Sequence, residues 1–348
     1  MTTSALPPLN TVLVGDARQR LAELPDGAVD CIITSPPYWA LRDYGNDQQI
    51  GSEPNVDSWA DEIAAIGEQL ARVLTPTGAL WLNLGDSYAR HPQDGSAKKS
   101  LLLAPQRVAL RLTRAGWLLR NQVVWAKKNP MPSSVRDRLT TTHEFLYFFT
   151  RQPNYYFDLD AIRVPAVTPP HAGRRGRALY PPREAVPSLG GGISPRIDLN
   201  QGLAGMKARG QESHPLGKNC GDVWHLGTAS FRGAHFATFP VELVRRPLLS
   251  TCPERVCQDC GQSWLRADQV INGRRLALGP LRATCGHSRW RPGRVLDPFM
   301  GAGSVALAAE AHDRDWLGIE LNPTYAALTE QRLTEWRAKQ PTKRKEDS

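Results

Sequence analysis

"RVLDPFMGAGSVALAAEAHDRDWLGIELNP", residues 294–323, is the stretch on which the fold turns. It reads as a short apolar strand, a glycine turn, a helix of small residues, a second apolar strand ending in an acid, and an Asn-Pro pair opening another helix. Gly301 and Gly303 follow the first strand directly, where missing side chains let backbone N–H groups and a helix N-terminus approach a ligand. Glu320 ends the next strand, 17 residues beyond Gly303, the place where a βαβ unit binds ribose hydroxyls with a carboxylate. Position 306 is Ala, so the third glycine of the dinucleotide fingerprint is missing, and the turn opens Asp-Pro-Phe. That pattern favours an adenosine ligand other than a dinucleotide. A cationic one, S-adenosylmethionine, suits Asp297 near its charged methionine end; an Asp297 that merely caps the following helix is the plainer alternative.

Outward from this stretch, the first 150 residues repeat the alternation of strand and helix. "TVLVGDARQRLAELPDGAVDCIITSPPYW" (11–39) reads strand, amphipathic helix, a turn at Pro25-Asp26-Gly27, then the strand "VDCIIT". "DSWADEIAAIGEQLARVLTPTGALWLNLGD" (57–86) predicts a helix capped from Ser58, a turn at Pro76-Thr77-Gly78 and the strand "ALWLNL". A helix in "LLAPQRVALRLTRAG" and the strand pair "WLLRNQVVWAK" and "HEFLYFFTR" follow. The fold class predicted is α/β: a Rossmann-like, mostly parallel sheet with helices on both faces, finished by an antiparallel strand.

Regular patterning stops near residue 151 and returns at "HFATFPVELVRRPLLS". The chain is therefore divided into a catalytic half (1–150), a variable region (151–235), a helix rejoining the main domain (236–251), a Cys-rich insertion (252–290), the cofactor half (291–335) and a tail (336–348) whose composition predicts disorder.

Of 348 residues 41% are apolar and the net charge is +9, enough for a sizeable core and favourable to a polyanionic partner. No apolar run reaches a membrane-spanning length. The N-terminus lacks the basic and long apolar regions of a signal peptide, which predicts a cytoplasmic protein, and six cysteines in that compartment are thiols or metal ligands before they are disulfides. The charge is concentrated: residues 161–220 hold nine Lys/Arg against three acids, amid Gly and Pro. Two readings stay open there, a flexible linker and a basic arm that orders on a phosphate backbone. Arg174, Arg175 and Arg177, together with Lys127 and Lys128, are the candidate DNA-binding residues.

"TSPPYW" (34–39) ends a buried strand in two prolines, which cannot continue it because each lacks a ladder N–H. This elbow and "DPFMGAGS" (297–304) together resemble the amino-methyltransferases of DNA, the N4-cytosine and N6-adenine family. Members of that family carry a [Ser/Asn/Asp]-Pro-Pro-[Tyr/Phe] catalytic loop and a D-P-F-x-G-x-G cofactor loop on a Rossmann-like sheet. Here the catalytic loop comes first, with a variable stretch between, which resembles the permuted β-type order. The match covers residues 11–150 and 221–335, with further pieces in "GDVWHLGT", "HFATFP", "NQVVWAKKNPMPSS" and "TTHEFLYFFTR".

The resemblance implies a site. Ser35, Pro36, Pro37 and Tyr38 would form the catalytic loop, and Asp16, Phe239, Asp297, Phe299, Gly301, Gly303 and Glu320 would bind S-adenosylmethionine. An exocyclic amine is a poor nucleophile because its lone pair is delocalised into the ring; accepting both amino protons, on the Ser35 hydroxyl and the Pro36 carbonyl, would localise it. Tyr38 offers a face for a flipped base, and Trp39 packs. In the family Ser at position 35 goes more often with cytosine and Asp with adenine, so N4 of cytosine is the expected target and N6 of adenine the alternative. Double-stranded DNA is the implied substrate, and a cognate restriction endonuclease in a prokaryotic cell, or a phage origin, is compatible with it. A non-enzymatic DNA-binding protein on a relic fold and a methyltransferase for RNA or protein amides stay as alternatives.

"CPERVCQDCGQSW" (252–264) and "CGH" (285–287) supply Cys257, Cys260, Cys285 and His287. C-x2-C followed after 24 residues by C-x-H is the spacing of a small zinc knuckle, and a structural Zn²⁺ is expected, with Cys252 as alternative fourth ligand and unpaired thiols as the plainer reading. Cys31 lies within a strand, misplaced for a nucleophile, and is read as a core thiol.

Overall fold

β2 (Val29–Thr34) is buried along its whole length, as a strand must be in a sheet covered on both faces. The computed structural model, which describes residues 6–41, 49–165, 214, 216–228, 239–271 and 274–340, sets it mid-sheet. Its fellow strands are β1 (Thr11–Val14), β3 (Leu74–Leu84), β4 (Leu118–Lys127), β5 (His143–Thr150) and β6 (Val223–Leu226). Six short strands of the Cys-rich insertion follow: β7 (Val256–Cys257), β8 (Leu265–Arg266), β9 (Gln269–Ile271), β10 (Arg274–Leu276), β11 (Leu281–Arg282) and β12 (Trp290–Arg291). β13 (Arg294–Asp297) and β14 (Asp315–Glu320) complete the set. The central sheet has eight strands in the order β1-β14-β13-β2-β3-β5-β4-β6.

Every neighbouring pair in it is parallel except those of β5, which runs against β3 and β4. The antiparallel strand therefore lies inside the sheet, whereas the sequence pattern predicted it as the finishing strand. Burial explains the difference. Leu146–Thr150 is an unbroken buried run and needs cover on both faces, while the first half of β4 is exposed and takes the outer place, with β6 pairing to its second half, Val124–Lys127.

Alternation along β2 divides the core into two layers. Ile32 faces a layer built with α1 (Ala17–Glu23), α2 (Val56–Val73) and α3 (Ala104–Arg114), whose members include Leu21, Trp59, Leu112 and Phe149. Cys31 and Ile33 face the other, where α4 (Val241–Thr251), α5 (Ser304–Ala311) and α6 (Pro323–Lys339) pack with Trp81, Phe148 and Trp316. Trp81 stacks on Phe148 with ring centroids 4.3 Å apart and donates its indole N–H to Thr251 Oγ1 at 3.0 Å. Burial pushes the Cys31 thiol up to about 12, which keeps it an inert core group.

Two local expectations shift. α2 starts at Val56, capped by Asn55, whose Oδ1 accepts the Ser58 N–H at 2.9 Å; Asn caps as well as Ser does, and the earlier start brings Val56, Trp59 and Ile63 onto the buried face. Pro76-Thr77-Gly78 sits inside β3, where the register with β2 jumps from Val29–Leu74 to Cys31–Ala79, a bulge in place of a turn.

The chain separates into two compact units, Met1–Ala161 with Gly221–Ser348, and Ile162–Cys220. β6 thus places part of the region assigned to variable sequence in the central sheet. In the second unit Val164 and Lys218 form an antiparallel bridge, with N–H···O distances of 3.0 and 2.9 Å; Arg174, Arg175 and Arg177 lie outside the described residues. Among the described residues no helix is long and apolar enough to cross a membrane.

Asp30, 4% exposed on β2, ties the end of the Cys-rich insertion to the sheet. Its carboxylate accepts from Arg291 Nη1 at 2.6 Å and Nη2 at 3.1 Å and from the Arg294 N–H at 2.8 Å. Removing one partner of such a pair leaves a buried charge uncompensated, so Asp30→Ala is expected to cost about 3–5 kcal/mol. A urea titration reads this as a lower midpoint, and a loss under about 1 kcal/mol would place the pair among solvated surface contacts.

Candidate functional site

β13 and β2 pair in parallel, Val295 against Cys31 and Leu296 against Ile32, so their carboxyl ends finish side by side. Open α/β sheets bind ligands at such ends. Thr34 Oγ1 donates to Asp297 Oδ1 at 2.6 Å, and the Phe299 N–H donates to the same oxygen at 3.0 Å. Asp297 is 1% exposed, and its second oxygen, Oδ2, finds no partner among the described residues. Burial pushes this carboxyl up to about 7, against the pull of the Thr34 hydroxyl and Phe299 N–H.

The turn after Asp297 is held from the next strand. Gly301 and Gly303 adopt φ of +52° and +77°, a region that favours glycine. The Gly301 N–H donates to Glu320 Oε2 at 2.7 Å and the Asn322 N–H to Oε1 at 2.9 Å, so Glu320 braces the turn as well as facing the cleft. Burial pushes its carboxyl upward, countered by those backbone donors. A Cβ on Gly303 would meet the Thr329 methyl at 2.6 Å, so α6 can approach only glycine here. The Thr329 hydroxyl donates to the Gly301 carbonyl at 2.9 Å.

The other proposed cofactor residues gather around the same cleft. Asp16 is at its edge but caps α1 through the Arg18 N–H at 2.8 Å and pairs with the Arg18 guanidinium; those bonds hold its carboxyl below the usual range. The Phe239 carbonyl accepts the Ser304 hydroxyl at 2.9 Å, and the residue lines the cleft with Phe299.

On the opposite wall stands the Ser-Pro-Pro-Tyr elbow. Trp59, fully buried, donates its indole N–H to the Pro37 carbonyl at 3.0 Å, which fixes the bend. Trp39 packs into the core, 9% exposed, and donates to the Glu53 carbonyl at 2.8 Å. Tyr38 faces the cleft. A Cβ on Gly85 would come 2.7 Å from the Tyr38 ring, so the ring lies on that glycine.

The Tyr38 hydroxyl accepts from Ser35 Oγ at 3.3 Å and donates to Glu144 Oε2 at 2.8 Å. Asn83 Nδ2 also donates to Glu144 Oε2, at 3.2 Å, and Lys127 Nζ to Oε1 at 2.6 Å. Asn83 and Glu144 are absent from the candidate residues read from sequence. The signal was there: a polar residue inside the apolar run "LWLNL", 2% exposed, needs a partner, and Glu144 is the one acid in the strand "HEFLYFFT". Lys127, a candidate DNA-binding residue from the sequence, lines the cleft, its ammonium held by Glu144. Lys128 beside it is exposed, its backbone N–H donating to the Leu226 carbonyl at 3.0 Å. These walls enclose about 270 Å³.

Away from the cleft, the ligand atoms of Cys257, Cys260, Cys285 and His287 all lie within 4.8 Å of one another. Cys252 is not among them; it is fully buried in the second core layer. Burial opposes ionisation of the Cys257 thiol, yet the N–H groups of Cys260 and Asp259 and the neighbouring thiols bring it down to about 7.

A family model described as "DNA methylase" matches residues 29–331, which takes in both loops and the sheet that joins them. The chain belongs to that family. Among its relatives, the type II methyltransferase M.XycI of Xanthomonas campestris pv. cyanopsidis is 34% identical over 346 residues, covering 93% of this chain and 87% of the relative. M.Cfr9I of Citrobacter freundii is 32% identical, with the same coverage of 93% and 87%. Of solved structures, the PvuII DNA methyltransferase (cytosine-N4-specific) aligns at a TM-score of 0.51 and 17% identity over 97% of this chain and 94% of that one. The likeness is one of fold, the Rossmann-like methyltransferase sheet. Within this DNA methylase, Ser35–Tyr38 and Asp297–Gly303 occupy the two strand ends that the motif order predicts.

Asp297 generates a pH prediction. Its carboxyl ordinarily titrates at 3.8 and in the folded chain at about 7, so across that window the folded state binds the extra proton and stability falls as pH rises. Ligand-free protein is expected to melt at lower temperature as pH goes from about 4 to 7. In Asp297→Asn this component of the slope disappears; an unchanged slope would mean that Asp297 ionises normally in the folded chain.

Proposed function

We propose that this DNA methylase transfers a methyl group from S-adenosylmethionine to the exocyclic N4 of cytosine in duplex DNA. The observation that carries the proposal is the Thr34–Asp297 hydrogen bond, which welds the catalytic elbow to the glycine turn at adjacent strand ends. The cleft suits this cofactor: Asp297 Oδ2 is a buried acceptor lacking a donor among the described residues, Phe239, Phe299 and Tyr325 offer apolar faces, and Glu320 lines the wall where ribose hydroxyls bind in such folds. When bound, S-adenosylmethionine supplies a methyl group on a cationic sulfur.

The chain's own residues prepare the nucleophile. Ser35 Oγ and the Pro36 carbonyl accept the two amino hydrogens of a flipped base, turning its lone pair out of the ring. The two prolines fix the direction of that carbonyl. Tyr38 stacks on the base, and Glu144, bonded to Asn83 and charge-balanced by Lys127, anchors its hydroxyl. Preference for cytosine follows from Ser at position 35 and accords with the PvuII DNA methyltransferase, which shares the fold, being cytosine-N4-specific. The relatives' designation as type II methyltransferases supports a role in restriction–modification beside a cognate endonuclease, in a prokaryotic cytoplasm. The basic stretch with Arg174, Arg175 and Arg177 is assigned to the DNA backbone and target sequence.

The test is incubation with unmethylated genomic DNA and methyl-labelled cofactor, followed by nucleoside mass spectrometry. N4-methylcytosine is expected. Ser35→Ala should lower kcat about 10²–10³-fold, the cost of removing one preorganised transition-state hydrogen bond, and Tyr38→Ala should weaken DNA binding by about 1–3 kcal/mol. Label found only on N6-methyladenine would reassign the base, and label absent from DNA would move the substrate to RNA or protein.

A further inference from the structure

The Cys-rich insertion has little of its own to hold it together. Its strands are two or three residues long and, among the described residues, pair as β7–β12, β8–β11 and β9–β10, with one isolated bridge between Val256 and Ser263. Among its described residues the buried apolar side chains are few: Cys252, Val256, Cys257 and Leu276. That core is too small to offset the entropy of ordering about 40 residues. Yet the segment is tightly turned. Gly261 takes φ +72°, the Gly261 N–H donates to the Cys257 carbonyl at 3.0 Å, and the Cys257 N–H to the Gln262 carbonyl at 2.8 Å. This knuckle faces Cys285 and His287 across the cluster.

The spacing is that of a metal's coordination shell. Cys257 Sγ and His287 Nδ1 lie 3.6 Å apart. A tetrahedral zinc with bonds of about 2.3 Å to sulfur and about 2.0–2.1 Å to nitrogen puts those atoms about 3.6 Å apart as well. Three thiols and one imidazole fill four positions, which makes the site a closed, structural one.

Its place in the chain gives the metal a second consequence. His287 stands three residues before β12, which pairs with β7 as Trp290–Cys257 and Arg291–Val256. Arg291 then grips Asp30 at the foot of the catalytic strand, and β13, which ends in Asp297, begins three residues later. The crossing is close: a Cβ on Gly293 would meet the Pro253 carbonyl oxygen at 2.1 Å.

We propose that Cys257, Cys260, Cys285 and His287 bind one Zn²⁺, and that this metal fixes the entry of β13, so that metal occupancy and cofactor affinity are coupled. The coupling rests on the cofactor assignment made above; the metal site does not.

The experiment uses the full-length protein. Plasma mass spectrometry should find one zinc per chain, lost in Cys285→Ser, and calorimetry should show S-adenosylmethionine bound about tenfold or more weakly by that variant, within the range of ordinary site-to-site coupling. Should Cys285→Ser not fold, His287→Cys supplies a fourth thiolate. It must retain zinc and, loaded with Co²⁺, show a stronger thiolate charge-transfer band than the parent. Loss of zinc in His287→Cys overturns the ligand set. A parent chain with no zinc and no cobalt band overturns the site. Zinc in the parent with parental cofactor affinity in Cys285→Ser overturns the coupling alone. A zinc-bearing parent that binds no S-adenosylmethionine overturns the cofactor assignment and the coupling together, while the zinc content still upholds the site.

Discussion

Two strands that are neighbours in space but far apart in the chain hold the site together. β2 and β13 pair in parallel, and at their ends the Thr34 hydroxyl reaches Asp297 at 2.6 Å. A donor loop and an acceptor loop for group transfer must meet within bonding distance, and a rigid sheet achieves this more sharply than mobile loops do. Everything nearby serves that junction. Trp59 secures the elbow from beneath, Glu320 secures the turn from the next strand, and Thr329 with Gly303 lets α6 close on it.

The junction is costly to fold. Asp297 and Glu320 are both buried acids whose carboxyls burial pushes upward, and one oxygen of Asp297 finds no partner among the described residues. Buried polar groups without partners are rare in native structures and mark sites where a ligand supplies the missing bond. The opposite wall contrasts with it. There Glu144 is satisfied by Tyr38, Asn83 and Lys127, so the Tyr38 hydroxyl is held in place. One wall is bonded throughout, and the other keeps an acceptor that finds no donor among the described residues.

Much of this was legible in the chain. The alternation of strand and helix, the elbow, the glycine turn with its distant acid, and the spacing of Cys257, Cys260, Cys285 and His287 are all local patterns, set by periodicity, by proline and glycine backbone limits and by short-range spacing. What was missed is non-local. The antiparallel strand β5 is interior because burial, which depends on neighbours, outweighs its place in the order of elements. Glu144 was not picked out because its partners Lys127 and Tyr38 lie 17 and 106 residues away in the chain. Cys252, the alternative fourth ligand, lies in the second core layer and outside the cluster of Cys257, Cys260, Cys285 and His287.

The sequence by itself determined most of the elements, the family and the two loops that carry its motifs, since these follow from residue type and short-range geometry. Only the tertiary structure decided which distant groups meet: Thr34 with Asp297, and Glu144 with Tyr38. Their contacts span 106 and 263 residues, and over such separations the pairing is chosen by strand order and burial, which no local pattern encodes.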